Sequence, residues 1–179
     1  MPSIKLSIIT FCLLVYCSCE PEVKSNKFKP DFQQQTNSES IKNQFVEANK
    51  QVVQKENDEM DYYAKSHQMN FVKTKAGIRY FVYEPSLKGD SLNDSSMVTL
   101  SYKVSLLTGK ECYSSKTEGN KTFVVGQEDI ESGVHKALTY LKRGDKALIL
   151  IPSHLAHGVM GDFKKIPPQM PIVYDVEVN

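Results

Sequence analysis

Residues 98–178 constrain this chain most, because short strand-forming runs alternate there with turn residues around a single helical segment. Residues 98–106 read as a strand, Thr108-Gly109 as the turn into a second strand at 110–114, and residues 121–125 as a third. Residues 129–141 carry Ile130, Val134, Leu138 and Leu141 on one side, the mark of a short amphipathic helix, and Gly144-Asp145 stops it. Residues 147–151 are almost wholly apolar and predict a strand buried on both faces. A long loop at 152–171 leads to a final strand at 172–178. The pattern predicts an α+β fold, an antiparallel β-sheet wrapped around one short helix, because one sheet face then buries the helical stripe.

Upstream, residues 78–83 have the residue types of a strand, ended by Pro85 and the turn signals Gly89-Asp90 and Asn93-Asp94. Ser38 or Ser40 is placed to cap a helix running to about residue 65, on which Ile41, Phe45, Ala48 and Val52 recur at helical spacing and Met60 and Tyr63 continue the drift. So narrow a stripe predicts packing on the domain, with self-association through residues 39–65 as the alternative. Residues 20–38 are polar and poor in branched apolar side chains, which predicts a flexible tether; about twenty such residues span roughly 25 Å. The chain opens with Lys5, an apolar run at 8–16 and Cys17-Ser18-Cys19, the order of a secretory signal and too short to span a bilayer. The expected division is a signal at 1–18, a tether at 19–38, an N-terminal helix at 39–70 and a domain at 71–179.

Charge and thiols exclude several classes. With 22 basic and 21 acidic residues, loss of Lys5 with the signal balances the charge, so no basic stripe is left to engage nucleic acid. Beyond Cys19 the one remaining thiol is Cys112, which rules out an internal disulfide framework in the exported chain. A Cys112-based acyl transfer needs an oriented base, and none of His67, His135, His154 or His157 is marked as its partner; a small semi-buried side chain is the expectation. His154 and His157 form H-x-x-H, but Asp162 is the one nearby acidic residue in that loop, too few ligands for an expected metal site.

Ile151-Pro152-Ser153-His154-Leu155-Ala156-His157-Gly158, then Ile166-Pro167-Pro168, then the closing strand from Ile172 follow one another in an order also marked by Val98-Thr99-Leu100-Ser101-Tyr102, Thr108-Gly109, Phe123-Val124-Val125-Gly126 and Ile130-Glu131-Ser132-Gly133. This order resembles the FKBP-type peptidyl-prolyl isomerases over residues 98–178. Ser18-Cys19 is similar to a bacterial lipobox, which implies that Cys19 carries lipid. Tyr113-Ser114 and Gly161-Asp162-x-x-Lys165-Ile166, taken with that signal, resemble the gliding-motility-associated lipoprotein branch of the family.

The resemblance implies an isomerase that acts on proline-containing polypeptide segments outside the cytoplasm, without nucleophile or cofactor, held to the bacterial envelope by a lipid anchor. A non-catalytic binding module or chaperone subunit of an envelope complex, for gliding or secretion, is the alternative. It also implies a prolyl pocket walled by Tyr102, Phe123, Ile130 and Ile166, with Glu131 at the position whose backbone N–H holds a substrate carbonyl. Six positions depart from the family's pattern. Cys112 and Tyr113 stand for its Phe-Asp pair, Val134 for a floor tryptophan, Lys121 for a wall phenylalanine, His157 for a donating tyrosine; Tyr174 stands mildly for phenylalanine. Catalysis of this kind lowers an amide-rotation barrier of about 18–20 kcal/mol by binding the twisted amide better than either planar isomer.

Overall fold

The structure, a computed structural model, describes residues 32–127 and 130–179, with side chains from residue 38 onward. The expected signal at 1–18, Cys19, the first part of the tether and Asp129 lie outside the described residues.

In chain order the elements are helix α1 (Phe32–Ser66), strands β1 (Val72–Lys73), β2 (Arg79–Glu84), β3 (Met97–Leu106) and β4 (Glu111–Ser114), helix α2 (Ser115–Glu118), β5 (Lys121–Val124), α3 (Ser132–Leu138), β6 (Lys146–Ile151), a 3-10 turn at Ser153–Leu155, and β7 (Ile172–Val178). The strands form one antiparallel sheet in the order β1-β2-β6-β7-β3-β4, with β5 also on β3. This is the expected α+β architecture, and β2 joins the same sheet through β6.

The apolar run of β6 shows why two-sided burial was legible. Ala147, Ile149 and Ile151 face α3 and the main core, whereas Leu150 and Leu148 face the opposite way against Met60 and Tyr63 of α1. β7 divides likewise, with Ile172, Tyr174, Val176 and Val178 in the main core and Val173 under α1. The short helix is pressed onto this sheet. A Cβ at Gly133 would lie 2.2 Å from Ile151 Cγ2 and 2.9 Å from the Leu155 carbonyl oxygen, so only glycine lets α3 approach so closely.

Two boundaries are corrected. α1 begins at Phe32, so the final residues assigned to the tether are helical and Ser38 and Ser40 lie inside the helix rather than capping it. The segment expected as a helix at 129–141 is helical from Ser132 to Leu138; Leu141 is buried in the following turn.

The expected packing of α1 holds for its second half alone. Every residue from 38 to 51 is exposed, Phe45 by 67%. From Val52 onward, buried polar groups do much of the docking. The Arg79 guanidinium, 1% exposed, donates to Asp61 Oδ1 (2.7 Å from Nε), to the Asn57 carbonyl and Oδ1 (both 3.1 Å) and to the Gly77 carbonyl (3.0 Å). The buried Glu56 carboxylate accepts from the Ser153 amide (2.9 Å) and hydroxyl (2.5 Å). Burying such charges is unfavourable unless their hydrogen bonds are met, and here they are met across the helix–sheet joint.

Candidate functional site

The site begins at a break in the sheet. β3 pairs with β5 through residues 97–100 and with β4 through residues 103–105, so between these pairings the Tyr102 amide has no strand partner on that edge. It donates instead to Ser115 Oγ at 3.0 Å, from the first residue of α2. The same short helix brings Glu118 to Tyr102, whose hydroxyl donates to Oε2 at 2.9 Å. Burial, then this hydrogen bond, pushes the Tyr102 phenol up to about 12. Lys121, where the family pattern has a ring, sets its ammonium 5.1 Å from the Tyr102 ring centroid.

Tyr174 of β7 lies beside Tyr102, ring centroids 6.3 Å apart, because its strand is hydrogen-bonded to β3. Its phenol is held well above the ordinary value by burial first and by the Glu131 carboxylate second. Glu131 occupies the N-cap position of α3. Its Oε1 stands 3.1 Å from His157 Nε2, within ion-pair distance once the imidazole is protonated. The alignment is outside hydrogen-bond geometry, so the buried Nε2 has no hydrogen-bond partner among the described residues. Among those residues nothing accepts a hydrogen bond from the Glu131 amide either.

The remaining candidates are core residues or pack on the core. Val134, Phe123, Ile166 and Cys112 belong with Tyr102 and Tyr174 to one buried cluster, and Ile130 and Tyr113 pack against it. Phe123 meets the His135 ring edge-on at 5.5 Å. Eight of the ten sequence-marked side chains thus belong to this core cluster or pack against it, and the other two, Glu131 and His157, stand together at the N-terminal end of α3. Tyr102 and Phe123 are each 5% exposed, Tyr174 4% and Val134 0%, so the walls present little apolar surface to solvent.

Cys112 is buried, as expected of a small semi-buried side chain, and burial pushes its thiol up. Tyr113 turns outward to the loop, where its hydroxyl bonds Asp162 Oδ2. Asp162 Oδ1 accepts from the amides of Lys164 (2.9 Å), Lys165 (2.9 Å) and Ile166 (2.8 Å). Burial works against ionisation of Asp162, but the Tyr113 hydroxyl and these amides prevail and lower its carboxyl to about 2. The bond to Asp162 in turn raises the Tyr113 phenol to about 12. Lys165 Nζ donates to the Cys112 carbonyl at 2.6 Å and sits 4.7 Å from the Tyr113 ring centroid.

Sequence reasoning missed four participants: Glu118, Asp162 in this tie, Lys165 and Glu56. It saw the loss of a rim carboxylate at Tyr113 but not that Glu118 sets a carboxylate on Tyr102 from another element. Asp162 and Lys165 belonged to a recognised motif without a role. Glu56 holds Ser153, whose carbonyl accepts from Ala156 (2.9 Å) and Gly158 (2.7 Å), the residues either side of His157.

Residues 89–179 match the FKBP-type peptidyl-prolyl cis-trans isomerase family. The FKBP-type isomerase FkpA of Escherichia coli strain K12 is 34% identical over 119 residues, 66% of this chain and 43% of its own length. The isomerase FKBP11 of Bos taurus is 32% identical over 95 residues, 53% of this chain and 44% of its own. This chain therefore spans less than half the length of these relatives. The crystal structure of Escherichia coli FkpA aligns with a TM-score of 0.59 at 28% identity, covering 85% of this chain and 72% of that one. An isomerase structure from Pseudomonas syringae gives 0.61 over 72% and 92% of the two chains, but its 23% identity speaks for the fold alone. The family match extends over more than half of the chain and takes in every element that lines the site, while α1, β1 and β2 lie outside it. The chain belongs to the FKBP-type peptidyl-prolyl cis-trans isomerase family.

Proposed function

We propose that this protein isomerises X-Pro bonds of polypeptides outside the cytoplasm, tethered to the bacterial envelope through lipid on Cys19. The observation that carries the reading is the Glu131 amide, unpartnered among the described residues, beside aromatic and aliphatic side chains. A carbonyl next to the rotating X-Pro amide accepts from the amide N–H of Glu131, while the prolyl ring rests on Tyr102, Tyr174 and Ile166. Rotation removes amide conjugation and makes the bond less polar, so an apolar, water-poor wall favours the twisted state over both planar isomers. His157 supplies a second donor near the same carbonyl through a ring N–H. No bond is made or broken, and both directions speed equally.

The test uses exchange NMR on an X-Pro peptide. Glu131 has φ −52, a value proline tolerates, so Glu131→Pro deletes the amide hydrogen with little backbone strain. Wild type and Glu131→Ala should both enhance exchange, and folded Glu131→Pro should lose most of it. Equal activity of the proline variant would remove the amide from the mechanism.

A second reading, a non-catalytic binding module, draws support from the near-complete burial of Tyr102, Phe123, Val134 and Tyr174. Absence of exchange enhancement by wild type at high protein concentration, with retained binding of proline peptides, would select it. The exposed stripe of α1, Ile41 and Phe45, suits self-association of two copies; sedimentation of Phe45→Ser against wild type tests that.

A further inference from the structure

Glu131 and His157 are held against each other by the backbone on both sides. Glu131 caps α3, and its carbonyl accepts from the Val134 amide at 2.8 Å. His157 stands between Ala156 and Gly158, whose amides both bond the Ser153 carbonyl. The two elements are pressed together at Gly133, where a Cβ would lie 2.9 Å from the Leu155 carbonyl oxygen. Their side chains are 15% and 23% exposed, with Glu131 Oε1 3.1 Å from His157 Nε2.

The two ring nitrogens of His157 have different surroundings. Nε2 is buried, faces the carboxylate and has no hydrogen-bond partner among the described residues. Nδ1 is neither buried nor bonded among those residues, which leaves it open to a ligand. A neutral imidazole carries one N–H, and its other nitrogen presents a lone pair. A lone pair on Nε2 would repel a carboxylate oxygen 3.1 Å away, so the neutral ring keeps its proton there, even off hydrogen-bond alignment. Nδ1 is then an acceptor, and a carbonyl gains nothing from it. A second proton turns Nδ1 into a donor and makes Nε2–H one half of an ion pair.

We propose that Glu131 is a positioning residue that makes His157 a pH-gated donor, able to hold a substrate carbonyl through Nδ1 only as the imidazolium. This rests on the isomerase reading and deepens it, by naming the charge state in which the site works best. Among the described residues no other carboxylate lies within ion-pair distance of the ring. The Glu131 carboxylate also acts on the phenols of Tyr174 from β7 and Tyr102 from β3. Both phenols lie above the ordinary value, Tyr102 at about 12, and stay protonated near neutral pH. Behind them Glu118 of α2 accepts from the Tyr102 hydroxyl, and Lys121 of β5 sits over that ring. In the loop itself Asp162, at about 2, stays ionised in its tie to Tyr113, and His154 is exposed and lines the cleft against α1. The change of charge at this contact between about pH 5 and 8 is thus left to the imidazole.

The experiment compares the full chain with its Glu131→Gln and His157→Phe variants. Nitrogen NMR of the His157 ring at about pH 8 should show the proton on Nε2 in wild type and moved toward Nδ1 in Glu131→Gln, whose amide can donate to Nε2. Exchange enhancement on an X-Pro tetrapeptide should rise about tenfold in wild type from about pH 8 to about pH 5.5, the gain of a charged donor. It should stay within about twofold over that range in Glu131→Gln, where the neutral ring can already donate, and be flat and low in His157→Phe. A proton on Nδ1 in wild type, or the same tautomer in Glu131→Gln, would overturn the proposal. So would measurable turnover without the rise, or a rise that survives His157→Phe and so belongs to another histidine. Absence of turnover at every pH would end the isomerase reading alone. Tetrapeptide affinity, expected about tenfold tighter at the lower pH, then decides, and equal affinities would overturn the gate.

Discussion

The two halves of α1 have similar polar-rich composition and a similar apolar stripe, yet one stands in solvent and the other is part of the domain. Residues 38–51 bury nothing, although Ile41 and Phe45 fall on one face. The second half is held by Met60 over Leu150 and Val173, by Glu56 on Ser153 and by Arg79 reaching back to Asn57 and Asp61. A stripe of apolar residues says that a helix has a face to cover. What fixes where it is covered here is a pair of buried charges whose hydrogen bonds have no other place to go.

That contrast predicts a graded set of outcomes. Arg79→Ala should be the most damaging, because it empties a buried site and strands the Asn57 and Gly77 carbonyls: about 3 kcal/mol of unfolding free energy by urea titration. A loss below about 1 kcal/mol would mean that Met60 alone holds the helix. Glu56→Ala should cost about 2 kcal/mol, by leaving the Ser153 amide and hydroxyl without acceptors. It should also disturb the His157 ring resonances in NMR, since Ser153 braces the residues either side. Resonances identical to wild type would uncouple α1 from the site.

Smaller effects mark the exposed half. Phe45→Ser should change unfolding free energy, at protein concentrations low enough to exclude association, by less than about 0.5 kcal/mol. A larger loss would show that residues 38–51 pack on the domain. Tyr63, in the docked half, has its phenol raised above 10.0 by burial and then by Asp175. The folded state thus prefers the protonated phenol, and its contribution is present in full below about pH 10 and fades as pH rises past that value. Tyr63→Phe should flatten the alkaline limb of a stability-versus-pH curve, and an unaltered limb would show that the phenol titrates freely.

Much of the fold was legible because its long elements carry periodicity. β3, β6 and β7 repeat every second residue, and β6 declared itself buried on both sides, which required a second layer that α1 then supplied. β1 with two residues, α2 with four and the 3-10 turn with three are too short for any period to register. The start of α1 was missed because Phe32–Ser38 is amide-rich, a composition equally suited to a tether. In the site, the residues that match a family order were visible as an order. Glu118 on Tyr102, Asp162 on Tyr113 and Glu56 on Ser153 are tertiary meetings 16, 49 and 97 residues apart in sequence, and no local pattern announces them.

The position of β7 has a consequence for how such a domain comes into being. β6 and β3 do not touch each other as paired strands; β7 lies between them and hydrogen-bonds both along its length. A chain delivered from its N-terminal end therefore makes two half-sheets with open, apolar edges before the strand that joins them arrives. Until residues 172–178 emerge, the unpaired edges of β3 and β6 are templates for mispairing with other chains. A domain of this topology would thus pass through an interval in which it is itself open to mispairing, and its yield in the cell would depend on how long β7 is delayed.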